Sequence, residues 1–287
     1  MLAASLVPLR AQVKVEVVQE QDQFLPSESF PVAVRITNRS GEPLHLGTEP
    51  DWLTFSIGSQ DGSVVRRIGD VPVTGEFTVE SSQVATKRLD LAPFFALDRT
   101  GRYQIVVTVR LKGWDRDVVS PAKRFDIIEG AKLWEQLFGV PRPAGVTNAT
   151  PEVRKYMLQQ ANYLKGQLRL YLRLLAASGR TLRVFPIGPM VSFGRPEPLV
   201  DRMSNLHVLY QHGAHSFSYT TFNPDGELLV RQTYDYVTTR PRLHTDELGD
   251  VSVLGGVRRE APNDFPPSTN DVPLSAESPE ELKPPTP

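Results

Sequence analysis

The chain has 287 residues, enough for about two domains at roughly 150 residues each, and 40% of them are hydrophobic, sufficient to build cores. Lys and Arg number 32 against 33 Asp and Glu, a net charge of −1, which argues against nucleic-acid binding by counterion release and against a polybasic membrane binder. The lack of cysteine excludes a disulfide framework, thiolate catalysis and Cys-ligated zinc, while no apolar run reaches the ~18 residues of a membrane span.

In chain order, the opening MLAASLVPLRA is apolar or small over most of Leu2–Leu9 and stops at Ala11, before polar Gln12. It reads as the end of a signal peptide cleaved after Ala11, although a basic start is missing and Leu9 stands at −3. The expectation is a secreted or periplasmic protein. Residues 12–129 then alternate. Val13, Val15 and Val17 face one way and Lys14 and Glu16 the other, as a half-buried strand requires. About nine such short strands follow one another, including a hairpin expected at Gln60-Asp61-Gly62 between WLTFSIGS and SVVRRI. The fold class expected is mainly β, an antiparallel sandwich in this half.

One motif narrows that class. LDRTGRYQIVV, Leu97 to Val107, resembles the tyrosine corner of immunoglobulin-like domains: Asp98, Gly101 and Tyr103 match, with one residue inserted after Asp98 and Ile105 where a disulfide Cys would stand. The resemblance implies an immunoglobulin-like sandwich in which Gly101 permits the corner and the Tyr103 hydroxyl bonds upstream backbone, with Trp52 as a core aromatic. The order ITNRSGEPLHL, WLTFSI, a DG hairpin and GRYQIVVTV is also similar to the bacterial intracellular proteinase inhibitor family. That likeness implies protease inhibition by the first domain as an alternative function.

Residues 130–150 read as a joint. Leu133, Trp134, Leu137 and Phe138 in AKLWEQLF predict a two-turn helix closed by Gly139, with Trp134 either wedged between domains or exposed as an anchor for a partner; PRPAGVTNATP reads as a linker. Residues 151–260 read as a second antiparallel β module. LVDRMSNLHVL repeats as HTDELGDVSVL, so that Asp201 aligns with Asp246 at an offset of 45 residues, the period of a propeller blade. Only about 2.4 blades fit in this span, so a sheet or sandwich with blade-like hairpins is expected rather than a closed propeller. The turn acids Asp201 and Asp246 are expected to hold corners through side-chain bonds to backbone. From Ala261 to Pro287 eight prolines and a net charge of −4 predict a disordered tail.

The search for chemistry yields no catalytic set. His207, His212 and His215 cluster in sequence, but two hairpin registers, one turning at His212-Gly213 and one at residues 212–214, each keep His207 and His215 from a common ion, so no metal and no cofactor is expected. Ser120-Pro-Ala-Lys123 matches S-x-x-K without its companion motifs. Asp225, Asp246 and Asp250 are candidate carboxylate pairs for a glycan-acting enzyme, a second alternative. Aromatics remain: Tyr210, Tyr219, Phe222, Tyr234 and Tyr236 on the 206–236 hairpins, together with Trp134, are the candidate binding surface; those on an outer face would form a platform, those on the core-facing side are packing, and most are expected to be core. The functional expectation is therefore an exported, non-enzymatic binding or structural protein of a bacterial envelope, contacting protein or glycan, with an uncovered sheet edge as a route to self-association.

Overall fold

The computed structural model describes residues 13–62, 65–141, 152–164 and 166–266; the signal-like start, most of the linker and the tail beyond residue 266 lie outside them. The protein is mainly β. Its helical segments among the described residues are two single 3-10 turns, Ala92–Phe94 and Lys112–Trp114. The chain divides into two compact units, residues 1–193 and 194–287. This boundary falls inside the stretch 151–260 that reads as one module in the sequence.

The first unit begins with β1 (Val13–Val18), β2 (Gln23–Phe24), β3 (Pro31–Asn38), β4 (Leu44–Leu46), β5 (Leu53–Ser59), β6 (Phe77–Val79), β7 (Val84–Asp90), β8 (Gly101–Leu111), β9 (Arg116–Val119) and β10 (Lys123–Ile127). One sheet runs β1-β3-β7, and a second runs β2-β10-β8-β5 with β9 also on β8; β4 pairs with β6. All pairs are antiparallel except β2 with β10. The period-two pattern dictates this: in β3 Val32, Val34 and Ile36 are buried, and in β8 Tyr103, Ile105, Val107 and Val109 are. These side chains from both sheets meet in one core, with Trp52 at its end donating Nε1–H to the Val73 carbonyl at 2.9 Å.

The expected hairpin after β5 does not form. Gly62 turns the chain, with its N–H on the Ser59 carbonyl, but residues 66–68 then bond to residues 94–96 instead of returning along β5. A turn sets where the chain bends, not which strand it meets next. As a result, among the described residues β5 pairs only with β8.

The rest of the first unit is a four-stranded antiparallel sheet of β11 (Ala131–Gly139), β12 (Val153–Leu164), β13 (Gln167–Ala176) and β14 (Thr181–Pro189), in that order. The predicted helix over AKLWEQLF is therefore β11. An eight-residue helix is marginal alone, whereas β12 offers a full ladder, and Leu133-Trp134 and Leu137-Phe138 then divide between the strand's two faces. Leu25 and Ile128 pack against Ala161, Tyr171 and Val184 of this sheet, and Gly130 brings its carbonyl to the Gln159 amide at 3.2 Å.

The second unit holds β15 (Glu197–Val200), β16 (Leu206–Gln211), β17 (Ser216–Phe222), β18 (Leu228–Asp235), β19 (Arg242–Thr245), β20 (Val251–Leu254) and β21 (Val257–Arg259). β15-β16-β17-β18-β21 make one sheet and β19-β20 a separate ribbon, whose Leu243 and Val253 cover Leu209, Phe217 and Tyr219. The 45-residue offset is two steps of a shorter rhythm. The turns opened by Asp201, Asn223 and Asp246 recur every 22–23 residues, because each closes one hairpin in a run of short strands. Residues 261–266, expected within the disordered tail, instead fold onto β18 through an Arg231–Phe265 bridge and onto β21 through an Arg258–Asp264 ion pair.

Candidate interaction site

The sequence motifs resolve into structural hydrogen bonding. The Tyr103 hydroxyl donates to the Arg99 carbonyl at 2.8 Å, its ring stacks on Phe125, and Gly101 leaves room for that ring, since an added Cβ would touch it at 3.4 Å; Asp98 is exposed just ahead of the corner. Burial, then the charges of Asp61 and Asp98, push the Tyr103 pKa up. In the second unit the three recurring turns share one geometry. Asp201 Oδ1 accepts from the Met203 and Asn205 N–H groups, Asn223 Oδ1 from those of Asp225 and Glu227, and Asp246 Oδ1 from those of Leu248 and Asp250, all at 2.8–3.0 Å. Arg202 joins the first turn to the third, bonding the Leu248 carbonyl and Asp250. The acids that sequence offered for glycan chemistry thus include Asp246 held as a turn cap and Asp250 in an ion pair.

The histidines are parted by the β16–β17 register. Tyr210 faces Ser218 and His207 faces Thr221, and the loop runs from His212 to Ser216, longer than either hairpin the sequence suggested. His207 is buried, with Nδ1 2.8 Å from the Tyr219 hydroxyl and Nε2 3.1 Å from Asp201 Oδ2. Both ring nitrogens, the carboxylate and the hydroxyl thus find partners in one another. Burial raises the Asp201 pKa, but the hydrogen bonds from Asn205 and His207 outweigh it and hold the carboxyl below its usual range. His212 meets Ser218 Oγ at 3.1 Å, and burial followed by the Arg259 charge lowers its pKa. His215 lies by the Tyr236 ring. Among the described residues no three metal-binding side chains converge.

The aromatic platform is corrected by burial. Tyr210, Tyr219 and Phe222 are all buried, because β16 and β17 are covered on both faces, so they serve packing. Tyr234 lies half-buried beneath the Arg258 guanidinium and bonds Gln232. Tyr236 remains 42% exposed, and Trp134 is half-buried on β11 rather than wedged in a helical joint.

What the tertiary structure exposes instead is main chain. Arg110 N–H bonds the Trp52 carbonyl and Gln60 N–H the Arg102 carbonyl, so the even-numbered residues of β5 address β8 and Leu53, Phe55 and Ile57 turn their N–H and C=O outward. Beside Leu53–Phe55 lies a cavity of about 530 Å³, bounded across from them by Val71–Thr74. That segment is extended and alternates, with Val71 and Val73 buried and Pro72 and Thr74 exposed; the Trp52 and Lys87 side chains hold it through the Val73 and Thr74 carbonyls. Sequence reasoning missed this slot by assigning β5 a hairpin partner. The signal was present in Asp70-Val-Pro-Val-Thr74, an alternating stretch whose proline suits an edge.

No protein family and no curated protein matches this sequence. Among solved structures, the crystal structure of Spo0M, sporulation control protein, from Bacillus subtilis is similar over 62% of this chain and 89% of its own, at 12% identity and a TM-score of 0.31. At that score nothing about fold or function carries over to this chain.

Proposed function

We propose that the protein is a non-enzymatic binding or structural protein working through protein contact, and that the slot beside β5 takes an extended peptide segment as an added strand. The observation behind this reading is the outward aim of the Leu53 and Phe55 main-chain groups beside an apolar cavity. Such a slot recognises backbone by hydrogen bonding and side chains by pocket fit. Residues 13–128 are, on this reading, an immunoglobulin-like sandwich. Its support is the placement of β1, β3 and β7 in one sheet and β5, β8 and β10 in the other, with the tyrosine corner entering β8. Export with cleavage after Ala11 completes the proposal, and the mature chain recovered from outside the cytoplasm then begins at Gln12 by mass spectrometry.

The slot is tested by selecting short random peptides on the full chain and titrating the winners into isotope-labelled protein. The amides of Leu53 and Phe55 are expected to shift and to exchange more slowly with solvent, and Pro72→Arg at the rim is expected to weaken binding. If no peptide is enriched, or the shifts fall elsewhere, the slot is not the site. Turnover of a substrate by pure protein, lost on changing one or two polar side chains, overturns the non-enzymatic reading.

A further inference from the structure

The sequence holds two Asp-Gly pairs, Asp61-Gly62 and Asp225-Gly226, and no Asn-Gly. Both glycines turn the chain at positive φ, +84° and +75°, and both follow an exposed aspartate. The fold then treats them differently. Gly226 is buried, and its N–H donates to the Asn223 carbonyl at 2.8 Å. Its neighbours are tied to the same residue: the Asp225 and Glu227 N–H groups donate to Asn223 Oδ1 at 3.0 and 2.8 Å, and the Asn223 N–H donates to the Glu227 carbonyl at 3.0 Å. Gly62 is exposed, and its N–H lies 3.4 Å from the Ser59 carbonyl, beyond the roughly 2.7–3.2 Å of a well-formed N–H···O bond. A Cβ built on Gly62 would meet nothing within 4 Å, so the space around it is open. The ladder to β8 closes one residue before Asp61, with the Gln60 N–H on the Arg102 carbonyl. Past that point both reactive groups reach back to one residue: the Ser59 hydroxyl donates to Asp61 Oδ1 at 2.5 Å, and the Ser59 carbonyl faces the Gly62 N–H.

We infer that Asp61 is a site of spontaneous covalent modification, isomerising to isoaspartate through a cyclic imide with Gly62, and that the fold protects Asp225 from the same reaction. The Gly62 amide nitrogen bonds to Asp61 Cγ, and the carboxyl hydroxyl leaves with the amide proton as water, which closes the imide. Water then opens the ring at one of its two carbonyls. Opening at Cγ restores aspartate; opening at the main-chain carbonyl leaves Gly62 joined to Cγ and frees an α-carboxylate, which is isoaspartate. One water leaves and one returns, so the step needs no other reactant. Its geometric demand is an amide that gives up its hydrogen bond and swings onto the neighbouring carboxyl. Glycine meets that demand with the least steric cost, and an exposed turn with a long bond meets it more readily than a buried one. At Gly226 the same swing requires breaking the bonds that close the Asn223 turn. The modified residue carries its main chain through Cβ, which lengthens the backbone directly after the last rung between β5 and β8. The chemistry needs neither the β5 slot nor a partner.

The test follows both sites in one sample. Folded full-length protein is aged in mildly acidic buffer made with oxygen-18 water, digested, and mapped by mass spectrometry, with isoaspartate read by enzymatic methyl esterification of its α-carboxyl. Isoaspartate carrying one heavy oxygen is expected at residue 61, accumulating at least about tenfold faster than at residue 225, the rate factor for opening a turn held by several hydrogen bonds. In the urea-unfolded chain the two sites are expected to react at comparable rates, because the fold is what separates them. Asn223→Ala, which opens the second turn, is expected to speed the reaction at residue 225 and to leave residue 61 unchanged. Asp61→Glu, whose longer side chain has to close a larger and slower ring, is expected to remove the modification at residue 61 with an unchanged thermal midpoint. Equal rates at the two sites in the folded chain overturn the inference, as does a faster residue 225. A residue 61 that stays unmodified over the time in which the unfolded chain reacts overturns it equally. An indifferent Asn223→Ala variant removes the protection assigned to the second turn.

Discussion

At Gly47 two loops of the first unit meet so closely that an added Cβ would lie 2.1 Å from the Gly75 carbonyl oxygen, with the backbone at a φ of +91°. Backbone cannot step aside as a flexible side chain can, so Gly47→Ala is expected to destabilise by about 2–4 kcal/mol, read as a lower urea midpoint at unchanged slope. Glu28 shows a different kind of constraint. Its carboxylate is 4% exposed and accepts from the Leu25 N–H at 2.7 Å and the Gln21 amide at 3.0 Å. Burial raises its pKa against those bonds and the nearby Arg169 and Arg173 charges. A raised folded pKa means a contribution that is complete below the ordinary 4.5 and is lost as pH rises through the folded value. Urea midpoints measured from about pH 4 to 8 are therefore expected to fall, relative to Glu28→Gln, on the rising side of that window. A parallel pH profile in the variant contradicts the assignment. Neither residue announces itself in sequence, since both roles depend on what tertiary packing brings within a few ångströms.

Among elements, the turns of the second unit give the most direct expectations. Asp201, Asn223 and Asp246 cap equivalent turns, so replacing each with Ala is expected to cost about 1–2 kcal/mol. Asp201→Ala is expected to cost the most, because it also strands buried His207. The lowered Asp201 pKa fixes the sign with pH: its contribution is present above the ordinary carboxylate range and is lost as pH falls through the folded value. At the fourth position of these turns the backbone has positive φ, and Gly226 and Gly249 stand there at +75° and +83°, but Ser204 does at +64°. The Asp201–Asp246 correspondence was legible in sequence because an Asx-capped turn is local chemistry. β11 was not, because its apolar residues fit a helical face, and the β12 ladder that overrides that pattern lies outside the segment.

Over the whole molecule, pairing joins remote segments: Gln23 lies beside Asp126 in the parallel β2–β10 pair, and Pro31 opposite Asp90 in β3–β7. Such pairings close long loops before they return any stabilisation. Refolding of the full chain after denaturant dilution is accordingly expected on the scale of about milliseconds to seconds or slower, and a microsecond phase recovering the native signal would contradict this topology. Local chemistry in the sequence was enough to determine that the chain is mainly β, that Tyr103 stands at a corner, and that acids and glycines mark the turns, because alternation and turn preference act within a few residues. Only tertiary structure decided that Tyr210, Tyr219 and Phe222 are core, that residues 66–68 desert β5, and that β11 is an edge. Burial and pairing depend on which distant segment satisfies a strand's second face and its outward amides, and no local pattern carries that information.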